Sequence, residues 1–212
     1  MRSLGLWSPI RNYLKFGVPL GYTPEVGEPV YAGLLARLFD IRTTTPFVSL
    51  IDRGGSFDEF NLFLGMMKTS LFGDQDFVRE LNEAGHHGML PVLMYAGAWI
   101  LLVSACVLAF LCLYATVRVL ISKEYITDGA YRLFFAAVYA VSMAAYISFM
   151  MKATYYSSMD FRYVLYLIPV EALMLGLYFG KSGRVFRVAA AVGVLLFSVS
   201  SVGVYMTLLC FT

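Results

Sequence analysis

The chain has 212 residues, 59% of them hydrophobic and 14% charged, with a mean hydropathy of +0.71. A soluble domain carries about 25% charge and 45–50% apolar residues, so an ordinary soluble globular domain is excluded. The net charge is +2 and the Lys and Arg residues are scattered singly, which excludes an extended nucleic-acid surface.

Residues 1–91 are different in kind from the rest. They hold ten of the fourteen acids and eight of the sixteen basic residues, with prolines at 9, 19, 24, 29, 46 and 91. No spanning helix is expected there. Trp7, Tyr13, Phe16 and Tyr22 suit a membrane interface. Asp52-Arg53-Gly54-Gly55 reads as a turn. Ser56-Phe57-Asp58-Glu59 reads as a capping box, with Ser56 as N-cap and Glu59 reaching back. The helix it opens runs through Phe60, Phe63, Leu64, Met67 and Leu71, an apolar stripe at helical spacing. Lys68 falls in its later part, and Gly73 can close it. A second short helix is expected from Asp76 to Ala84. The acid pairs Asp58-Glu59 and Asp74-x-Asp76 sit at helix starts, where carboxylates favour the helix dipole. His86 and His87 lack a Cys or carboxylate at ligand spacing and read as a solvated helix end. Together these residues suggest a partly helical extracytoplasmic segment lying on the membrane.

Beyond residue 91 the chain is dominated by apolar runs. Val92 to Val117, Leu133 to Met151 and Val188 to Thr212 carry no charge. Each is long enough to cross a hydrocarbon core of about 30 Å as a helix. Tyr163 to Gly180 is a fourth candidate, broken only by Glu171. The expectation is an all-α polytopic membrane protein with four spans, near 92–117, 133–151, 163–180 and 188–210. Cys106, Cys112 and Cys210 lie inside these runs and behave there as small hydrophobes, giving no disulfide framework and no metal site. Ser198, Ser200 and Ser201, with Gly193 and Gly203, suit close helix packing in the last span.

Orientation follows from the basic residues of the short loops. The loop after the first span holds Arg118, Lys123 and Arg132, and the loop after the third holds Lys181, Arg184 and Arg187. The intervening loop, about 152–162, has only Lys152 and Arg162. The side with six basic residues is expected to be cytoplasmic. Residues 1–91, the 152–162 loop and the C-terminus are then outside a multi-pass plasma-membrane protein. Moving 91 residues outward needs a signal peptide or a preceding helix, and Met1-Arg2-Ser3 has no apolar h-region. The expectation is therefore the C-terminal portion of a longer protein.

Four residues stand out as candidate binding groups. Arg162 and Tyr163 lie at the mouth of the third span, in Tyr155-Tyr156-Ser157-Ser158-Met159-Asp160-Phe161-Arg162-Tyr163. A guanidinium at headgroup level can pair with a phosphate, with Tyr163 adding a hydroxyl or a stacking face; equally, the pair can be an interfacial anchor. Lys152 is a second cation on the same loop, and Asp160 can pair with Arg162. Glu171 lies nine residues further on, roughly 13 Å deeper at 1.5 Å per residue. A carboxylate in hydrocarbon is expensive. It can line a polar cavity for a sugar or orient a residue of a missing half, or it can be a protonated acid hydrogen-bonded to a helix neighbour, with the carbonyl freed by Pro169 nearby.

Three stretches carry a family resemblance. The first is Gly5-Leu6-Trp7-Ser8-Pro9-Ile10-Arg11-Asn12-Tyr13, followed by Phe16-Gly17-Val18-Pro19-Leu20-Gly21-Tyr22. The second is Lys68-Thr69-Ser70-Leu71-Phe72-Gly73. The third is Asp160-Phe161-Arg162-Tyr163 followed by Pro169. In this order they resemble the late extracytoplasmic loop and a late helix entry of bacterial family 39 membrane glycosyltransferases. These are relatives of protein O-mannosyltransferases and lipid A aminoarabinose transferases, with the GT-C fold. The resemblance implies transfer of a sugar from a polyprenyl-phosphate donor to an acceptor on the outer face, without a cofactor. It implies donor-phosphate contacts for Arg162, Tyr163 and Lys152. The catalytic acid of that family lies in an early outer loop with no counterpart in this sequence, so no catalytic residue is assigned. The implied partners are membrane lipid, the lipid-linked donor and an N-terminal half. A second reading, from a different class, is a non-catalytic membrane subunit or transporter fragment using Glu171 as a polar gate.

Overall fold

The computed structural model describes residues 61–73, 76–152 and 164–211, together with 34–39 and positions 14, 41, 43 and 45–47; the side chains at 34, 36, 151 and 152 are not described. Among the described residues every regular element is helical. Three short helices come first: α1 (Leu34–Phe39), α2 (Leu62–Phe72) and α3 (Phe77–Glu83). Four long ones follow: α4 (Met89–Ile121), α5 (Gly129–Lys152), α6 (Ile168–Lys181) and α7 (Arg184–Phe211). The chain is an all-α polytopic membrane protein. Three helices (Met89–Ile121, Gly129–Met150 and Arg184–Phe211) are long and apolar enough to cross a membrane.

The expected third span is shorter than the others. One 3-10 turn, Leu165–Leu167, precedes the 14-residue α6, and Pro169 occupies the first turn of that helix. A proline is tolerated there because its missing N–H is one of the orphan donors of a helix start. Pro169 therefore marks where α6 begins instead of kinking a longer helix.

The register of the bundle can be read from its closest approaches. A Cβ on Gly97 would meet Val204 Cγ2 at 3.2 Å, and one on Gly193 would meet Leu108 Cδ2 at 3.0 Å. Eleven residues forward along α4 are thus eleven residues back along α7, so the two helices are antiparallel. Glycine at both positions lets the backbones approach. Gly203, expected to do the same, has nothing within 4 Å of a built Cβ, and Ser200 bonds back to Leu196 O at 2.6 Å within its own helix. The close-packing residues are Gly97 and Gly193. α6 runs parallel to α4, with Ala115 and Val119 in one cluster with Met174 and Tyr178. α5 is antiparallel to α6: Tyr139 reaches Glu171, and Tyr146 clusters with Val164 and Leu167.

This order separates two ends. Residues 118–132 and 181–187 share one, the basic end, where Lys181 Nζ donates to Glu124 O at 2.7 Å and lies 5.4 Å from the centre of the Tyr125 ring. At the other, the covered end, α2 and α3 pack on the first half of α4 and the last turns of α7. Phe47, Leu71, Phe72, Phe77 and Leu81 bury against Met94, Ala98, Leu101, Leu102, Ala105 and Val204. Phe77 makes edge contacts with Phe72 at 5.7 Å and with Tyr205 at 5.8 Å, and the Tyr205 hydroxyl donates to Leu71 O.

The short helices differ in detail from expectation. α2 is capped by Asn61, whose side chain accepts from Phe63 N at 3.0 Å and Leu64 N at 2.9 Å. The proposed capping box, Ser56 with Glu59, lies outside the described residues, as does Phe60. The buried face of α2 is Leu62, Gly65, Lys68, Leu71 and Phe72, while Phe63 is exposed. The face is rotated from the expected stripe because α2 packs Leu62 on the Tyr146–Val164 cluster, Leu71 and Phe72 on the α4 cluster, and Lys68 on residues 43–47. Gly73 closes α2 with a φ of 59°, its N–H donating to Thr69 O, a conformation glycine adopts without strain. α3 agrees with expectation: the Asp76 carboxylate accepts from Val78 N at 3.1 Å and Arg79 N at 3.2 Å, and Ala84 ends the helix.

Candidate functional site

Lys152 is the last residue of α5, and its side chain is not described. Arg162, Tyr163 and Asp160 lie outside the described residues. The two anchors of the segment that carries them are nonetheless in place. Met150 at one anchor and Val164 and Leu167 at the other share one buried cluster with Leu62 and Tyr146. The Tyr146 hydroxyl donates to Leu62 O at 3.2 Å. The start of α2 is therefore held against both anchors of the 153–163 segment.

The covered end also holds two buried cations. Arg37 is 6% exposed, and its Nη1 donates to Met150 O at 2.6 Å. Met150 lies in the last turn of α5, where carbonyls lack intrahelical donors, so Arg37 acts as a C-terminal cap. Burial lowers the Arg37 pKa from its ordinary value, yet a guanidinium stays charged at neutral pH. Asn61 Nδ2 donates to Leu38 O at 3.0 Å, which ties α1 to the start of α2.

Lys68 is the second, and its sequence context hid it. Its side chain is fully buried, and Nζ donates to Thr43 Oγ1 at 2.7 Å, Thr45 O at 2.5 Å and Phe47 O at 3.2 Å. A buried ammonium is tolerated only when its donors are used. The available signal was spacing: Gly65, Lys68 and Phe72 recur on one helical face. The three oxygens come from a segment more than twenty residues earlier, and no local pattern announces them.

Glu171 sits in the first turn of α6, half-buried between helices. Its Oε1 accepts from the Tyr139 hydroxyl at 3.1 Å, with the Cys112 thiol of α4 nearby. Three helices thus contribute to one polar cluster in an otherwise apolar layer. An acid in a first turn also complements the positive end of the helix dipole. One turn beyond Cys112, the Thr116 hydroxyl is buried without a hydrogen-bond partner among the described residues. Glu171 meets α5 at Tyr139, whereas Val164 clusters with Tyr146 and Met150 further along the same helix.

No group of three or more His, Cys, Asp or Glu able to hold a metal occurs among the described residues. His86 stacks edge-on against Phe211 at 5.3 Å, and His87 is exposed. Comparison of the chain with models of known protein families, with curated proteins and with solved structures returned no match.

Proposed function

We propose that this chain forms the C-terminal part of an integral-membrane glycosyltransferase that moves a sugar from a polyprenyl-phosphate donor to an extracytoplasmic acceptor. The observation that supports this reading is the junction at Leu62. Two of the stretches that resemble family 39 enzymes, Lys68–Gly73 and Asp160–Tyr163 with Pro169, lie in or beside helices that meet there: α2 packs on Val164 and Leu167. The donor phosphate is assigned to Arg162 and Tyr163, with Lys152 as a further cation from the end of α5. The acid that activates the acceptor comes from a part of the enzyme with no counterpart in these residues. The covered end then faces outward, and Glu171 lines or braces the cleft from within the helix layer.

The test is the donor dependence of transfer in membranes carrying the enzyme with its N-terminal half. Loss of a charge-assisted phosphate contact costs about 1.5–3 kcal/mol, or roughly 10- to 150-fold. Arg162→Ala should weaken donor use by that factor at matched protein levels. Arg162→Lys should recover only part, because an ammonium keeps the charge but loses the two-pronged geometry. Unchanged donor dependence in Arg162→Ala would make the residue an interfacial anchor.

A second reading is favoured by the Glu171–Tyr139 contact at 3.1 Å: a non-catalytic subunit or transporter fragment with Glu171 as a polar gate. It predicts that Glu171→Gln abolishes a transport activity while Arg162→Ala leaves it intact.

A further inference from the structure

The two ends of the bundle use their cations in opposite ways. At the covered end the described cations are consumed internally. Arg37 caps Met150, Lys68 binds three oxygens of residues 43–47, and Arg79 Nε pairs with Glu83 at 2.7 Å. At the basic end six cations stand against two carboxylates, Glu124 and Asp128. Both acids are already engaged. Glu124 lies 3.8 Å from Lys181 Nζ, and the Asp128 carboxylate accepts from Ala130 N at 2.8 Å at the start of α5. Arg132 Nη1 reaches Ile121 O at 3.5 Å. Arg118, Lys123, Arg184 and Arg187 are exposed and make no ion pair among the described residues.

These four cations are brought to one level by a cluster of rings. Tyr178 of α6 stacks on Tyr114 of α4 at 5.6 Å, on Phe186 of α7 at 4.8 Å and on Tyr125 of the α4–α5 connection at 5.6 Å. Arg118 follows Tyr114 by one turn, Lys123 stands two residues before Tyr125, and Arg184 and Arg187 flank Phe186. Tyr rings favour the boundary between hydrocarbon and headgroups. The unpaired cations therefore stand at the depth of lipid phosphates. We infer that the basic end is a docking surface for anionic lipid headgroups, formed by Arg118, Lys123, Arg184 and Arg187 around the Tyr178 cluster. Charge complementarity supplies the argument, since phosphate-bearing headgroups are the anions that a membrane presents at this level. The inference does not depend on glycosyl transfer.

The experiment uses the full chain reconstituted in phosphatidylcholine bilayers containing traces of spin-labelled phosphatidylglycerol or spin-labelled phosphatidylcholine. The fraction of motionally restricted label is read by electron spin resonance. The expected result is an association preference for phosphatidylglycerol of at least about fivefold, the factor that a single basic contact of ~1 kcal/mol represents. It should fall towards unity in 1 M salt, where screening acts within about 3 Å. Arg118→Gln, Lys123→Gln, Arg184→Gln and Arg187→Gln combined should remove the preference, whereas Arg79→Gln at the covered end should keep it. Equal association of both lipids with the wild-type chain overturns the inference, as does a preference that survives the fourfold substitution. If the fourfold variant does not fold, the salt titration of the wild-type chain decides: a preference unchanged by salt overturns it.

Discussion

Lys68 sets the energetics at the scale of single residues. Its ammonium satisfies Thr43 Oγ1, Thr45 O and Phe47 O, and truncation leaves those acceptors in a buried site. Hydrogen bonds to charged groups contribute about 1.5–3 kcal/mol each, and buried acceptors left unmade add a desolvation penalty. Lys68→Met should therefore lower the stability of the detergent-solubilised chain by about 2–3 kcal/mol, read as a fall in the thermal midpoint. Lys123→Met, at an exposed position, should leave the midpoint unchanged. Equal midpoints for the two variants would show that the buried ammonium contributes nothing. The Tyr139–Glu171 bond calls for a smaller effect. Interhelical hydrogen bonds inside membranes average about 0.6 kcal/mol, because the separated helices also find partners. Tyr139→Phe should cost about that much, and Glu171→Gln, which keeps an acceptor for the phenol, less. A larger loss for Glu171→Gln would show that the carboxylate has a structural task beyond Tyr139.

Packing between helices is decided by which glycines face a neighbour. Gly193 faces Leu108 and Gly203 faces open space. Gly193→Ala should be mild, since the nearest atom is the flexible end of a leucine. Gly193→Val should force α4 and α7 apart, with overpacking of about 1–3 kcal/mol. Gly203→Val should be neutral; thermal midpoints of the three variants give the comparison. Composition could not separate these glycines, because both lie in the same charge-free run and only the register with α4 distinguishes them. The long helices were legible for the reason that makes them long: charge-free runs admit few other structures in a membrane. The expected third span was less so, because Tyr163 to Gly180 is apolar but for Glu171 and only Pro169 betrays the later helix start. The start of α2 was misread for a different reason. Ser56 and Glu59 have the right spacing, but Asn61 both caps α2 and donates to Leu38, and that second partner is long-range. Asn61→Ala should cost about 1–2 kcal/mol, detectable as faster amide exchange in the first turn of α2. Of the candidate site, the sequence announced Glu171 by its charge but not Tyr139, which resembles every other aromatic in the spans.

Over the whole molecule, the chain reverses direction at each connection, so the two basic loops meet at one end and α1–α3 occupy the other. Single cysteines at Lys123 and Glu83, after replacement of Cys106, Cys112 and Cys210, should differ in labelling by an impermeant thiol reagent in intact cells. Both positions are exposed. Ser182, which the loop assignment also suggests, is only 6% exposed and bonds Phe179 O, so it would react poorly on either side. Labelling at Glu83 and not at Lys123 is expected from the positive-inside rule, and the opposite pattern would invert the molecule. α4 bears on the same question. Its 33 residues extend about 50 Å at 1.5 Å per residue, well beyond a hydrocarbon layer of about 30 Å. α2 and α3 cover Met94 to Ala105 of this helix.

The buried ammonium of Lys68 also dictates an order of assembly. A lone charged lysine on α2 cannot slide into an apolar layer, and its three oxygen partners belong to a separate stretch of chain, residues 43–47. Burying Lys68 before these oxygens are in place would leave an unpaired charge, so the two stretches are expected to join before they seat together on α4 and α7. On that order, the species before docking has its long helices in place and residues 43–47 paired with α2 but not yet seated. Anything that holds residues 43–47 away from α2 would arrest maturation at that point, with every transmembrane segment already in place.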